Sequence, residues 1–177
     1  MFGWFRSNDE LLKVQSAVDV VTTELEFQRA PRRMGRLSEA RGTLAGQQGW
    51  LAVTESGDGF EVELHLYLRP NLGVGLYVGR REITSAGSRD VFPTGDEPFD
   101  ARFLVCGGSH EAIVKVLDLE ARLGLMELAE LGEVRASDAM IALTFETQEL
   151  DGQVLVRALQ REAEVARSMI EGLVLEG

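Results

Sequence analysis

The sequence predicts an α+β fold, in which helices cover one face of an antiparallel sheet, and three patterns lead to this prediction. Apolar and polar residues alternate from Phe60 to Arg69, as in a strand with one buried face and one wet face. Residues 134–146 have the pattern of a β-hairpin, whose inward row comprises Ile141, Leu143 and Phe145. Helical patterns with one apolar stripe occupy residues 7–27 and 151–173. The resulting element order is α-β-β-β-(loop)-β-α-β-β-α.

The segment after the first helix differs sharply in composition from its surroundings. Residues 28–42 hold five arginines and a single acid, Glu39, and Pro31 interrupts any helix there. We therefore predict an Arg-rich linker over residues 28–42. It joins the N-terminal helix to an α+β body over residues 43–175, within a single domain of residues 1–177.

Glycine marks two of the strands predicted in the body. One strand is expected at residues 43–54, where either Gly46 or Gly49 marks a bulge. Another is expected at residues 72–78, where one face carries Gly73, Gly75 and Tyr77. A face with so few side chains allows another backbone to approach closely.

The next part of the body combines a loop with a strand and helices. Residues 84–100 lack periodicity and predict a long surface loop, and a short apolar strand is expected at residues 101–106. A helix follows with Ser109 as its N-cap, and Gly124 is expected to divide it from a second helical segment.

Composition excludes several classes of function. The 18 basic and 29 acidic residues give a formal net charge of −11, so we expect no nucleic-acid partner. One cysteine and two histidines leave little material for disulfides or metal sites, and we expect no metal and no other cofactor. No apolar run spans a bilayer and no signal peptide is evident, so a cytoplasmic location is expected. The preference for arginine over lysine indicates a bacterial source.

Two groups of residues could carry chemistry, and both have a simpler interpretation. Cys106 and His110 flank a strand-to-helix turn, where a thiol can become nucleophilic. The arginine of a tyrosine-phosphatase loop is replaced by Ala112, so a tight structural turn is the favoured interpretation. Glu61, Glu63 and His65 share one strand face, but a solvated polar face is commoner than a metal site.

Three surfaces are candidates for binding a partner. Phe2, Trp4 and Phe5 precede the first helix, where they either staple it to the core or anchor a partner or a membrane surface. The arginine segment contacts either the protein's own acids or an acidic partner, through Arg29, Arg32, Arg33 and Arg36. The third candidate is the glycine face of Gly73, Gly75 and Tyr77.

Residues 42–173 resemble a family of uncharacterised bacterial domains, in which a β-rich half precedes an F-D-x-x-F-x-V strand. The matching residues here are Phe99, Asp100, Phe103 and Val105. The element layout in a small acidic chain is also similar to the class I type III secretion chaperones. That resemblance implies a dimer that binds extended client segments, although the strand at residues 101–106 departs from it.

These observations together predict a non-catalytic, cytoplasmic interaction module, an adaptor or scaffold that binds another protein and forms a homodimer. A secretion-chaperone-like client-binding protein is the narrower alternative. The alternative of a different class is a small thiol-dependent enzyme that uses Cys106 and His110.

Overall fold

The computed structural model describes residues 8–31, 33–57, 59–81 and 90–174. In this part of the chain there are five helices: α1 Asn8–Glu24, α2 Glu97–Arg102, α3 His110–Val116, α4 Leu119–Leu128 and α5 Gly152–Val174. The same residues form nine strands: β1 Gln28–Arg29, β2 Arg36–Leu44, β3 Gln47–Ser56, β4 Gly59–Tyr67, β5 Tyr77–Arg80, β6 Asp90–Val91, β7 Phe103–Gly107, β8 Glu133–Ser137 and β9 Met140–Thr147.

All of these strands belong to one sheet, in the order β1-β2-β3-β4-β9-β8-β5-β7-β6. Every neighbouring pair is antiparallel. The predicted α+β class, an antiparallel sheet covered by helices, is confirmed. The strand with the clearest alternation, β4, lies inside the sheet between β3 and β9, and the hairpin predicted at residues 134–146 forms β8 and β9.

The two faces of the sheet have different roles. One row in register across β2, β3, β4, β9 and β8 is fully buried and belongs to the hydrophobic core shared with the helices: Ala40, Leu51, Leu64, Leu143 and Val134. The neighbouring row points the other way, because side chains alternate along a strand. It comprises Arg41, Trp50, His65, Ala142 and Arg135. We call this second surface the open face.

The long C-terminal helix holds the helical layer together. α5 packs against α1, α3 and α4, and it also contacts β4. Most of its predicted stripe is buried, as are Val14, Val18 and Val21 of α1, whereas Val154 and Ile170 of the stripe are only half-buried. The prediction that Gly124 divides two helices is wrong, because Gly124 lies within α4. An added Cβ there would be 2.3 Å from the side chain of Val165. The division falls at Asp118, whose carboxylate caps α4 by accepting from the amide of Ala121.

The predicted Arg-rich linker is wrong in its second half, and so is the single strand at residues 43–54. Residues 36–56 form a hairpin of β2 and β3, which turns at Ala45 and Gly46, both with positive φ. Two of the glycines make room for an aromatic ring rather than a bulge. Added Cβ atoms at Gly42 and Gly49 would lie 2.2 and 2.5 Å from the ring of Phe27.

The glycine face predicted at residues 72–78 is also wrong. Gly73 and Gly75 have φ values of 68° and 74°, and β5 begins only at Tyr77. The carboxylate of Asp138 accepts hydrogen bonds from the amides of Val74, Gly75 and Leu76. These residues therefore form a loop held by one side chain, because a strand conformation would turn the three amides in alternating directions.

The predicted loop at residues 84–100 contains both β6 and the start of α2. Asp96 caps α2 by accepting from the amide of Phe99, and Pro98 lies in the first turn, where no amide donor is needed. The following strand consequently begins at Phe103 rather than at residue 101. The rings of Phe99 and Phe103 lie 4.8 Å apart in the core, so these two residues have a packing role.

Candidate functional site

A cavity of about 590 Å³ lies on the open face, over β2, β3 and β4. We call it the arginine groove, because four arginines line it. Its lining comprises Arg33, Arg36, Arg41, Gln48, Gly49, Trp50, Glu63, His65, Tyr67, Leu68, Arg69 and Ala139. Its volume is in the range of small-ligand sites.

One buried carboxylate organises the centre of this cluster. The side chain of Glu39 is fully buried, and its Oε1 accepts from Trp50 Nε1 at 2.8 Å. The same oxygen accepts from Nε and Nη2 of Arg41, at 3.1 and 2.7 Å. Its Oε2 accepts from Nη1 of Arg36 at 3.0 Å. Each oxygen therefore has a guanidinium donor of its own.

These donors keep Glu39 ionised although it is buried. Burial alone raises the pKa of the carboxyl group, but hydrogen bonds from Trp50, Arg41 and Arg36 outweigh it and lower the pKa from 4.5 to about 2. Glu39 is thus an anion throughout the physiological range. A permanent charge at this point holds the two guanidinium groups in fixed positions.

A β-bulge brings Arg36 to the open face. In the register of β2 and β3, Arg36 is opposite Thr54 and Ser38 is opposite Val53, so Leu37 is an extra residue. If Leu37 paired regularly opposite Thr54, Arg36 would alternate to the helix side. On the open face its guanidinium carbon lies 4.5 Å from the centre of the Trp50 ring, a stacked cation–π arrangement.

Aromatic side chains continue the groove along β4. The rings of Trp50 and His65 have centroids 4.5 Å apart, and Tyr67 meets His65 edge-on at 6.2 Å. Burial lowers the pKa of His65 below 6.5; the charge of Glu63 opposes this effect, and that of Arg36 adds a smaller lowering. The imidazole is therefore neutral at pH 7, and the row provides rings and polar edges without a further positive charge.

The far rim of the groove is also held in place. The side-chain amide of Gln47 donates to the carbonyl of Arg69 at 3.0 Å and accepts from its amide at 2.6 Å. Arg33, on the near rim, has a 63% exposed side chain with Nε 3.8 Å from Glu39. Four arginines against Glu39 and Glu63 give the described part of the groove an excess of two positive charges, in a chain of net charge −11.

The structure separates the partner-binding residues predicted from the sequence. Arg33 and Arg36 line the groove, whereas Arg29 pairs with Asp19 of α1 at 2.7 Å and donates to the carbonyl of Gln15. Gly73, Gly75 and Tyr77 lie in and beside the loop held by Asp138 and do not line the groove. Phe2, Trp4, Phe5 and Arg32 lie outside the described residues.

Sequence reasoning missed most of the groove. Arg41 and Glu39 were noticed only as members of an Arg-rich segment, and Trp50, Tyr67 and Arg69 were not singled out. The usable signal was the polar row of β4, since residues 63, 65 and 67 share one face. Only the pairing of β4 with β3 and of β3 with β2 brings Trp50 and Arg41 beside that row.

The structure also places the residues predicted as candidates for thiol chemistry and for metal binding. Cys106 is fully buried in β7, and His110 Nε2 lies 3.1 Å from the carbonyl oxygen of Pro93. Within the described ranges, no three His, Cys, Asp or Glu side chains are grouped so that they could hold a metal ion. No helix among those described has the length and apolar character to cross a membrane.

The fold and the groove define a class: an α+β protein with helices on one face of an antiparallel sheet and a basic, aromatic concavity on the other. No family model matches the chain, and no curated protein matches it. The fold is similar to the crystal structure of the mycobacterial trehalose monomycolate transport factor A, with a TM-score of 0.58 and 9% identity. The match covers 92% of this chain and 97% of the chain in that crystal structure.

Proposed function

We propose that the protein is a non-catalytic interaction module that binds an acidic segment of another protein in the arginine groove. The observation that carries the proposal is the excess of positive charge gathered on the open face of a chain whose net charge is −11. Charge of one sign in a concavity attracts and orients a partner of the opposite sign. The rest of the chain repels the same partner, which favours docking at this one place.

The shape of the groove supports a segment of chain as the occupant. A cavity of about 590 Å³ has room for only a few side chains. Two folded domains that bind each other need a much larger contact surface. The rim is fixed by Gln47 and the centre by Glu39, so little ordering is needed on binding. Binding of extended segments is also what the resemblance to secretion chaperones implies.

Fold analogy is compatible with the non-catalytic part of this proposal. The similar structure is that of a transport factor. At 9% identity the likeness concerns the fold alone, and a fold does not determine a function.

A labelled Glu-rich peptide is the defined probe for the proposal, with a Lys-rich peptide of equal length as its counterpart. Fluorescence anisotropy should detect binding of the acidic peptide only, and the affinity should fall as salt is raised from about 50 to about 300 mM. The variant Arg33→Gln/Arg69→Gln removes the excess charge of the groove and should weaken binding about tenfold or more.

The matched control removes two arginines from the helical layer. Arg157→Gln/Arg167→Gln changes the net charge of the chain equally, and both side chains are exposed on α5. Its affinity should stay within about twofold of the wild type at moderate salt. Equal losses in the two double variants would mean that only net charge matters, and the groove would not be the site.

Two further parts of the proposal have direct tests. Static light scattering tests the homodimer. A mass of twice the 19.5 kDa chain supports it, and the mass of one chain contradicts it. The competing thiol-dependent enzyme requires a reactive Cys106. We expect the buried thiol to react with iodoacetamide at about pH 6 only after unfolding.

A further inference from the structure

Glu39 performs two tasks that differ in their consequences. It neutralises part of the positive charge of the groove, and it fixes the orientation of two guanidinium groups. The side chains of Arg36 and Arg41 are 24% and 45% exposed, while that of Glu39 is fully buried. Each of the two arginines therefore contacts the buried Glu39 and also lines the groove.

The fork of Arg41 shows how one side chain can serve both sides. Its Nε and Nη2 edge meets Oε1 of Glu39, while the side chain as a whole is 45% exposed and lines the groove. The guanidinium group of Arg36 packs over the Trp50 ring. A planar guanidinium group fixed in this way suits the paired oxygens of a carboxylate.

We infer that the groove receives a carboxylate of the acidic partner segment at Arg36 and Arg41, and that Glu39 is the positioning residue that orients these two arginines for it. This inference rests on the proposed function, and it names the ligand group and the residues that read it. Glu39 itself shows that the pair accepts a carboxylate, since both of its oxygens are bound by guanidinium groups.

Neutralisation and positioning predict opposite effects of the same substitution. Glu39→Gln removes one negative charge, so simple electrostatics predicts tighter binding of an anion. If Glu39 orients Arg36 and Arg41, the same substitution releases their side chains and weakens binding. Glu63→Gln is the matched comparison, because Glu63 lines the same groove and its removal changes the charge equally.

The experiment measures the affinity of the Glu-rich peptide for the wild type and for these two variants, with melting temperatures recorded alongside. We expect Glu39→Gln to bind about tenfold more weakly and Glu63→Gln to bind as tightly as the wild type or more tightly. The Trp4→Phe background isolates the emission of Trp50. Peptide binding should change that emission, because Arg36 stacks on the indole and meets the ligand.

A charge-preserving substitution provides the second test, independent of whether Glu39→Gln folds well. Arg41→Lys keeps the charge but loses the fork, so we expect a loss of about tenfold, with Arg157→Lys on α5 as the control near wild-type affinity. Unchanged binding by Arg41→Lys would overturn the inference.

The remaining outcomes separate the inference from the proposed function. If the wild type does not bind the Glu-rich peptide, the proposed function fails. If it binds but Glu39→Gln is tightened like Glu63→Gln, positioning by Glu39 is overturned and the proposed function stands. Tighter binding of a phosphoserine peptide than of its glutamate counterpart would overturn the assignment of a carboxylate.

Discussion

Two glutamates among the described residues are completely buried, one on each side of the sheet, and they have opposite properties. Glu39, on the open face, has donors on both oxygens and a pKa lowered to about 2. Glu162 lies on the core side of α5, in the stripe of Leu155, Leu159, Ala166 and Met169. Neither of its oxygens has a hydrogen-bond partner within the described part of the chain.

The contrast shows that donors, and not burial, decide whether a buried carboxyl group is charged. Desolvation by burial raises the pKa of both groups. At Glu39 three donor side chains reverse the effect, whereas at Glu162 nothing opposes it and the pKa is raised well above 4.5. The first is therefore an anion that organises a site, and the second is held as a neutral acid.

The largest effect is expected from removing the first carboxylate. Glu39→Gln leaves Trp50 Nε1 and two guanidinium groups with a weaker acceptor, and we expect a loss of about 3 kcal/mol in the free energy of unfolding. Urea denaturation followed by circular dichroism measures it. A change below about 0.5 kcal/mol would show that the arginines find solvent partners instead, and the contrast between the two glutamates would lose its basis.

An effect of opposite sign and somewhat smaller size is expected at the second glutamate. Glu162→Met replaces an unpartnered carboxyl group by an apolar side chain of similar volume within the core stripe. We expect a gain of about 2 kcal/mol at pH 7 in the same denaturation assay, because the desolvation cost disappears. A destabilised Glu162→Met protein would mean that the carboxyl group has a favourable partner.

The pH dependence is a part of each of these effects and separates the two residues further. The folded-state pKa of Glu162 is raised above 4.5, so its contribution is fully present below pH 4.5 and is lost as pH rises through the folded pKa. The gain from Glu162→Met should therefore be larger at pH 8 than at pH 5.

The folded-state pKa of Glu39 is lowered, so its contribution is present above pH 4.5 and is lost as pH falls towards 2. The loss from Glu39→Gln should shrink in that acidic range.

The smallest effect is expected at an exposed ion pair, which completes the comparison. Arg29 and Asp19 have side chains that are 40% and 62% exposed. Arg29→Gln should lower the free energy of unfolding by about 0.5 kcal/mol or less, and it should not change the affinity for the Glu-rich peptide. Weakened peptide binding would extend the site beyond the arginine groove.

The regular elements could be predicted because their patterns are local. The stripe of α5 and the alternation of β4 each repeat over many residues, so one irregular position does not hide them. The stripe still concealed Glu162, because a single acid inside an apolar repeat is easily assigned to the surface. The loop at residues 72–76 misled in the opposite way, since its sequence alternates like a strand while its conformation is set by Asp138, far along the chain.

The groove could not be predicted because it depends on register rather than on local pattern. Arg41, Trp50 and His65 are neighbours only through two strand pairings. The bulge at Leu37 also disrupts the period of two, so the basic residues of β2 have no strand pattern. Local composition correctly drew attention to the arginines but did not reveal which of them converge.

The extra residue in β2 gives the strand one residue of slack next to the groove. Deleting Leu37 would make the strand regular and would leave Arg36 opposite Thr54, still on the open face. If Leu37 stayed in the chain and paired regularly opposite Thr54, Arg36 would instead turn towards the helices. Relatives that lack a residue at this position should therefore keep the same groove, whereas relatives that pair it regularly should lose this arginine from it.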